Sequence, residues 1–214
     1  MSLQSAVQPP STLSIQPGEV HLWWAAWPFL FPSSAGTKGK SHLLLATVLS
    51  RYLGVPAEEL TLDVTASGRP FLDCNLDFNL SHTRELAVVA VGRGVGVGVD
   101  IEWLAREISM ERLVQRFFAP SEKERFLQLL DEEARREWFF RVWTAKEAVI
   151  KCAGESLAMQ IGRVAIQANQ ELSLEAPESL GPVGQWVLAR LDFSGLGLKG
   201  KGYGGTVAVR KVFQ

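Results

Sequence analysis

The segment from residue 85 to residue 102, ELAVVAVGRGVGVGVDIE, constrains the fold of this 214-residue chain most strongly. Its two halves are short, apolar and rich in valine, which is typical of buried β-strands. They flank Gly92-Arg93-Gly94, a sequence that favours a tight turn, so we expect the two strands to form a hairpin. The glycines between 92 and 98 do not fit GxGxxG spacing with a following helix. They therefore predict a turn and a close backbone approach rather than a dinucleotide site.

Helical and strand-like segments follow one another in blocks around this hairpin. The predicted helices cover 40–54, the two segments MERLVQRFF and PSEKERFLQLL after Ser109, and about 132–153. The other predicted strands cover 62–64, 77–80, 163–167, 171–175, 185–193 and 204–212. Strands and helices do not alternate strictly, so a doubly wound parallel sheet is not expected. The order predicts an α+β protein of two halves, residues 1–104 and 105–214, each ending in a hairpin-like β unit.

Composition limits the function classes. The net charge is −1, which gives no electrostatic case for a nucleic-acid or anionic-membrane partner. The apolar run at 22–31 is too short for a membrane span, and the first basic residue is Lys38, which argues against a signal peptide. Cys74 and Cys152 lie far apart, without zinc-site spacing, so a reducing cytoplasm is the expected location.

Three acidic residues suggest a cation site. Asp100 and Glu102 end a predicted strand two residues apart, so both side chains leave the same face. Two such acids at a strand end could equally well be exposed, but on one face they repel each other unless a cation lies there. Glu147, on the predicted long helix, adds a third carboxylate. Together they would suit Mg²⁺, which prefers oxygen ligands and usually keeps water and substrate phosphates as the others.

Lys151 lies one helical turn after Glu147, on the same face as Trp143. Taken alone, this spacing is more often a solvated ion pair on a helix surface. Beside a magnesium site the same lysine would face a phosphate, and magnesium with lysine on a diphosphate recurs in phosphoryl transfer.

Three residues before the predicted hairpin could serve the same site. Ser81 and His82 end a strand in FNLSHT, and the turn SGRP projects Arg69. Taken singly, they are more often a turn serine, a structural histidine and a surface arginine. If they meet the carboxylates, they supply hydrogen-bond donors for phosphates.

These motifs occur together in one known family. The segments GRPFL…FNLSHT, GVGVDIE and FFAPSEKERF…WTAKEAVIKCAG, within residues 67–154, resemble the 4′-phosphopantetheinyl transferases of the larger, pseudo-dimeric type. The resemblance implies a monomer of two similar halves with antiparallel sheets, related by a pseudo-two-fold axis, and an active site between them. It implies Mg²⁺-dependent transfer of 4′-phosphopantetheine from coenzyme A to a serine of an apo acyl or peptidyl carrier protein. The second product would be 3′,5′-adenosine diphosphate.

The resemblance also assigns roles to single residues. The metal ligands are matched by Asp100, Glu102 and Glu147. The coenzyme A contacts are matched by Lys151, at the pantetheine-side phosphate, and by Arg69, Ser81 and His82. Relatives often carry basic residues at the first helix beside the 3′-phosphate, where this chain has Lys38, Lys40 and His42. Glu122 matches an acid implicated as a ligand or as the base for the carrier serine, although Glu147 or a water on the metal could be that base.

Two helices carry competing interpretations. In SEKERF we predict a capping box of Ser121 with Glu124, and Glu122 either favours the helix N-terminus or acts in catalysis. In MERLVQRFF, Arg112 and Arg116 share one face, which suits either solvent or the docking of an acidic carrier protein. Two other functions stay open: a non-catalytic module that binds coenzyme A or a carrier, and another Mg²⁺-dependent enzyme acting on a diphosphate.

Overall fold

A computed structural model describes residues 3–5, 12–26, 37–154, 161–169, 171–175, 180–196 and 202–211. Within these ranges the helices are α1 (Thr37–Leu53), α2 (Met110–Phe117), α3 (Pro120–Gln128) and α4 (Glu132–Ala153). The strands are β1 (Leu3–Ser5), β2 (Val20–Ala26), β3 (Asp63–Val64), β4 (Pro70–Phe71), β5 (Leu76–Thr83), β6 (Leu86–Arg93), β7 (Val95–Trp103), β8 (Ala165–Ala168), β9 (Leu172–Glu175), β10 (Trp186–Arg190) and β11 (Tyr203–Lys211). The predicted α+β class is confirmed.

Two larger sheets share one topology. The first has the order β1-β2-β6-β5, and the second has the order β10-β11-β7. In the first sheet β2 precedes α1, and β6 later pairs antiparallel with both β2 and β5, while the short β1 adds in parallel to β2. In the second sheet β7 precedes α4, and β11 later pairs antiparallel with both β7 and β10. Both sheets thus contain a strand–helix–strand–strand order, and the division into two similar halves stays a prediction.

The sheets stack face to face, with a helix outside each. Valine and alanine side chains of β6 pack against those of β7 and β11 in one buried cluster between the sheets. A second cluster holds α1 on the outer face of the first sheet, and a third holds α4 on the outer face of the second. The layers are therefore helix, sheet, sheet, helix. No helix among the described residues is long and apolar enough to cross a bilayer.

Helix α4 has clear sequence limits. The side chain of Asp131 accepts a hydrogen bond from the Ala134 amide at 2.7 Å, and Gly154 ends the helix in a left-handed conformation with φ of 73°. The predicted close backbone approach is at Gly98, where an added Cβ would lie 2.1 Å from the carbonyl oxygen of Ala148. Glycine there lets α4 lie directly on β7.

The predicted hairpin between β6 and β7 is wrong. The turn does occur, with Gly94 at φ 65°, but β6 pairs with β2 and β5 whereas β7 pairs with β11. The chain therefore passes from one sheet to the other at this turn. Strand pairing alone divides the chain near Gly94, and the boundary near residue 104 stays a prediction.

Candidate active site

A cavity of about 1070 Å³ lies where the two sheets meet the C-terminal end of α4. Of the predicted site residues, it is lined by His42, Arg69, Ser81, His82, Asp100, Glu102 and Lys151. Glu147 lies behind Lys151, with 4.0 Å between its Oε2 and the lysine Nζ. Residues far apart in sequence thus converge on one site.

Lys151 and Asp100 form the centre of this site. The lysine Nζ lies 2.6 Å from Asp100 Oδ1 and also donates to Ser81 Oγ and to the Val99 carbonyl, each at 3.3 Å. Burial opposes the charged lysine, but Asp100 and Glu147 outweigh it and raise the pKa of Lys151. The lysine is therefore held as a cation at the mouth of a mostly buried pocket.

Glu147 carries the most strongly perturbed carboxyl of the cluster. Burial, together with the negative charges of Asp100 and Glu102, raises its pKa from 4.5 to about 7. Its side chain is 14% exposed and that of Lys151 is 26% exposed. Glu147 and Lys151 are thus not a solvated helix-surface pair.

Glu102 belongs to the same cluster through a different partner. Arg106 Nη1 donates to both of its carboxylate oxygens, at 2.9 and 3.1 Å. Burial raises the pKa of Glu102, an effect that Arg106 opposes and Asp100 increases. The three acids therefore repel one another electrostatically, and the positive charges of Arg106 and Lys151 reduce this repulsion.

The cluster fits a cation in two respects. The second oxygen of Asp100, Oδ2, is buried without a hydrogen-bond partner, and the charges of Asp100 and Glu102 add to the effect of burial in raising the pKa of Glu147. However, no group of three or more His, Cys, Asp or Glu residues in the described part of the chain is arranged to hold a metal ion. A metal there would require the acids to turn away from Lys151 and Arg106.

The strand β5 reveals a role for FNLSHT that sequence patterning missed. Within the described part of the chain, no strand pairs with the edge of β7 that faces β5. Its amides at alternate positions donate instead to side chains at alternate positions of β5. These bonds are Val97 N to Asp77 Oδ2 (2.7 Å), Val99 N to Asn79 Oδ1 (2.9 Å) and Ile101 N to Ser81 Oγ (3.2 Å). The alternation of Asp, Asn and Ser within an apolar strand was the available signal. We call these three side chains the β5 ladder.

Glu122 lies outside the cavity lining and has partners of its own. It is 3% exposed, pairs with Lys146 Nζ at 2.7 Å, and accepts hydrogen bonds from the amides of Ala119 (2.6 Å) and Ile166 (2.8 Å). The predicted capping box of Ser121 with Glu124 is wrong. Helix α3 begins at Pro120, so Glu122 takes the third helical position and bonds the amide of the N-terminal cap residue Ala119.

The other predicted site residues that the structure describes lie at the cavity or on the outer surface of the protein. His42 is exposed at the cavity, and Lys40 is half-buried outside its lining. The side chain of Lys38 lies outside the described residues. Burial, followed by the nearby Lys151, lowers the pKa of His82. Arg112 and Arg116 are exposed on α2, and the guanidinium of Arg116 lies 4.9 Å from the centre of the Phe117 ring.

Comparison with known proteins decides the family. Residues 96–190 match the family model of the 4′-phosphopantetheinyl transferase superfamily. The 4′-phosphopantetheinyl transferase HetI of Nostoc sp. is 36% identical over 135 residues, which are 61% of this chain and 56% of HetI. Both similarities are to 4′-phosphopantetheinyl transferases. The resemblance noted in the sequence is confirmed.

Other phosphopantetheinyl transferases match to a similar extent. The enzyme gsp of Aneurinibacillus migulanus is 33% identical over 129 residues, or 60% of this chain and 53% of gsp. The enzyme Sfp of Bacillus subtilis is 27% identical over 144 residues, or 65% of this chain and 62% of Sfp. The chain thus spans a little more than half the length of these relatives. The holo-[acyl-carrier-protein] synthase of Thermotoga maritima has a TM-score of 0.43 and 21% identity, over 56% of this chain and 64% of that one.

The superfamily match covers only part of the site. It includes Asp100, Glu102, Glu147 and Lys151, and it ends before the last strand of the second sheet. The β5 ladder and Arg69 lie before it. The structure brings these two parts of the sequence to one cavity.

Proposed function

We propose that this chain transfers 4′-phosphopantetheine from coenzyme A to a serine of an apo acyl or peptidyl carrier protein and releases 3′,5′-adenosine diphosphate. One observation carries the proposal: Asp100, Glu102 and Lys151 line a large cavity, Glu147 lies beside this lysine, and all four are inside the region matched to the superfamily. A large anionic substrate needs both the space and the cation.

We propose that coenzyme A occupies this cavity with its diphosphate at Lys151. The volume of about 1070 Å³ is at the upper end of common ligand pockets. Ser81 and His82, at the end of β5, line the cavity beside the lysine and would contact the same phosphates. His42, at the start of α1, would face the 3′-phosphate together with Lys40 or Lys38.

We propose that Mg²⁺ is held by Asp100, Glu102 and Glu147. The orphaned Asp100 Oδ2 and the mutual repulsion of the acids support this assignment. When bound, a magnesium ion would neutralise charge on the diphosphate. Lys151 would donate to phosphate oxygens of the substrate and stabilise the charge that develops as the bond breaks.

The proton of the carrier serine needs an acceptor in the cluster. Glu147 is the stronger candidate because it lies beside Lys151 and close to the other two acids, and a water on the metal is the alternative if Glu147 is itself a ligand. Glu122 is the weaker candidate because its oxygens already accept from two amides and from Lys146. We also propose a monomer in a reducing cytoplasm, where the exposed Cys74 and the buried Cys152 would stay thiols.

The test is to incubate the protein with coenzyme A, Mg²⁺ and a panel of apo acyl and peptidyl carriers, and to measure carrier mass. We expect one phosphopantetheine group to be added to a carrier. Asp100→Ala and Glu147→Ala should each lower the rate at least about 100-fold with the circular dichroism spectrum unchanged, whereas Glu58→Ala, at an exposed acid, should not.

Two results would contradict the proposal. Binding of coenzyme A without loading of any carrier would favour a binding module. Mg²⁺-dependent cleavage of coenzyme A with transfer to a different acceptor would favour another diphosphate-processing enzyme.

A further inference from the structure

The turn before β4 holds the C-terminal end of α4. The last carbonyl groups of a helix have no partner within the helix. Two of them, on Lys151 and Cys152, accept hydrogen bonds from Nη1 of Arg69, the second at 3.3 Å. The hydroxyl of Ser67, in the same turn, donates to the carbonyl of Gly154 at 3.1 Å. A cation at this place also complements the negative end of the helix dipole.

The other terminal nitrogen of Arg69 reaches both sheets. Nη2 donates to Asp77 Oδ1 at 2.7 Å and to the Phe78 carbonyl at 3.1 Å, both in β5. It also lies 3.0 Å from the carbonyl oxygen of Val97 in β7. One side chain therefore joins β5, β7 and α4, the elements that carry Ser81, Asp100 and Lys151.

These contacts differ from those expected of a phosphate ligand. The two terminal nitrogens have four N–H groups and already contact five protein oxygens. The side chain is only 13% exposed, and the carboxylate of Asp77 neutralises its charge. A phosphate that reached this guanidinium would displace helix carbonyls and approach a negative charge.

We propose that Arg69 is a positioning residue. It holds the C-terminal turn of α4, and with it Lys151, against β5 and β7, and it does not itself bind the phosphates of coenzyme A. Asp77 is its partner, since this acid orients the guanidinium through Oδ1 while Oδ2 stays fixed by the Val97 amide. The kinetic consequences of this role rest on the proposed transfer reaction, but the structural role does not.

The kinetic test compares Arg69→Met, Arg69→Lys and Asp77→Asn with wild type. We expect Arg69→Met to lower kcat about ten- to 100-fold, because a small displacement of a catalytic group has effects of this size. The KM for coenzyme A should change less than about threefold, and Arg69→Lys should not restore kcat, since an ammonium lacks the planar fork that spans these acceptors. Asp77→Asn should lower kcat in the same direction.

A phosphate contact predicts the opposite pattern. Arg69→Met would raise the KM for coenzyme A at least about tenfold with kcat largely kept, and Arg69→Lys would restore it because lysine also binds phosphate. Asp77→Asn would lower that KM, since it removes a carboxylate that repels the substrate. This pattern would overturn the proposal.

A second measurement needs no activity. Amide hydrogen exchange in the last turn of α4, residues 150–154, should be at least about tenfold faster in Arg69→Met and unchanged in Arg93→Met. Arg93 is a matched control because it is also half-buried and donates to a carbonyl, that of Ile15 at 3.0 Å, away from α4. Unchanged exchange in Arg69→Met would overturn the proposal. Faster exchange in a protein whose wild type loads no carrier would reject the proposed function and keep the positioning role.

Discussion

At the scale of single residues, burial and partners decide what each carboxylate of this protein can do. Glu122 and Glu147 are both mostly buried acids beside a lysine. Glu122 has two amide donors and a lysine at 2.7 Å, so its charge is fully compensated. Glu147 has a lysine only at 4.0 Å and two acids nearby, so its charge is not. The first arrangement stabilises a fold, and the second leaves a group ready to bind a cation or a proton.

The pKa of Glu147 predicts a pH dependence of stability in the metal-free protein. Between its ordinary value of 4.5 and about 7, the folded protein binds more protons at this carboxyl than the unfolded chain, so stability is lost as the pH rises through this range. We expect Glu147→Gln, in the presence of EDTA, to raise the free energy of unfolding at pH 8 by about 1–3 kcal/mol and to have little effect at pH 4. Urea titrations at both pH values measure this.

The control for that experiment is Glu124→Gln, which changes an exposed acid. It should have the same stability as wild type at both pH values. An equal gain for Glu147→Gln at pH 4 and pH 8 would contradict a proton-linked effect.

For Glu122→Gln we expect a loss of stability rather than a loss of turnover. Glu122→Gln leaves Lys146, which is fully buried, without its counter-charge, so we expect the free energy of unfolding to fall by about 3 kcal/mol. Burial already lowers the pKa of Lys146 against the opposing effect of Glu122. The kcat per folded molecule should stay within about tenfold of wild type, because the oxygens of Glu122 are held by two amides and Lys146, apart from the acid cluster. A loss of 100-fold or more at unchanged stability would instead restore the family-based role as base.

At the scale of elements, the β5 ladder replaces strand pairing between the two sheets. A free strand edge presents amides that need acceptors, and here the acceptors are side chains of a strand from the other sheet. The same three residues bring the site together, because Ser81 contacts Lys151 and Asp77 contacts Arg69. The junction of the two sheets and the candidate active site are therefore one structure.

The β5 ladder leads us to expect a loss of stability when Asn79, which has no proposed role in catalysis, is replaced. Asn79 is 9% exposed and accepts from the buried amide of Val99. Asn79→Ala leaves that amide without an acceptor, so we expect a loss of about 1–3 kcal/mol in thermal or urea unfolding. Asn75→Ala, at an exposed position just before the same strand, should cost less than about 0.5 kcal/mol. Equal effects of the two changes would show that the ladder bond contributes no net stability.

Local patterns predicted most elements of this fold but not how they pair. Helix α4 was predicted over about 132–153 and spans Glu132–Ala153 in the structure, where Asp131 and Gly154 cap its two ends. The β6–β7 hairpin was predicted wrongly because Arg93-Gly94 does make a turn, and a turn does not reveal which strands bond across it. The start of α3 was misplaced because Ser121 suits an N-cap, although Pro120 is itself helical.

In the candidate active site, too, local sequence patterns predicted the position of single residues but not their long-range partners. Periodicity placed Asp100 and Glu102 on one face of a strand, and the structure has both at the cavity. Long-range partners were beyond local patterns: Lys151 pairs more closely with Asp100 than with Glu147, and Lys146, in the same segment, pairs with Glu122. Which acid pairs with each lysine depends on which helices and strands pack together, and the spacing of residues in the sequence does not specify this packing.

At the scale of the whole molecule, a carrier protein must reach the cavity, and the net charge of −1 provides no general attraction for an acidic partner. Attraction must then come from a local surface. Arg112 and Arg116 are exposed on α2, four residues apart, so they present two cations on one helical face. We propose this face as the docking surface for the carrier.

The docking surface predicts a defect specific to one substrate. Arg112→Glu with Arg116→Glu should raise the KM for the carrier about tenfold, equivalent to ~1.4 kcal/mol, and leave the KM for coenzyme A unchanged. Salt should raise the carrier KM of wild type more than that of the variant, because charges in solvent are screened. Lys211→Glu, at an exposed cation of β11, is the control and should leave both constants unchanged. If the carrier KM of the double variant equals that of wild type at low salt, the two arginines only face solvent and the carrier docks elsewhere.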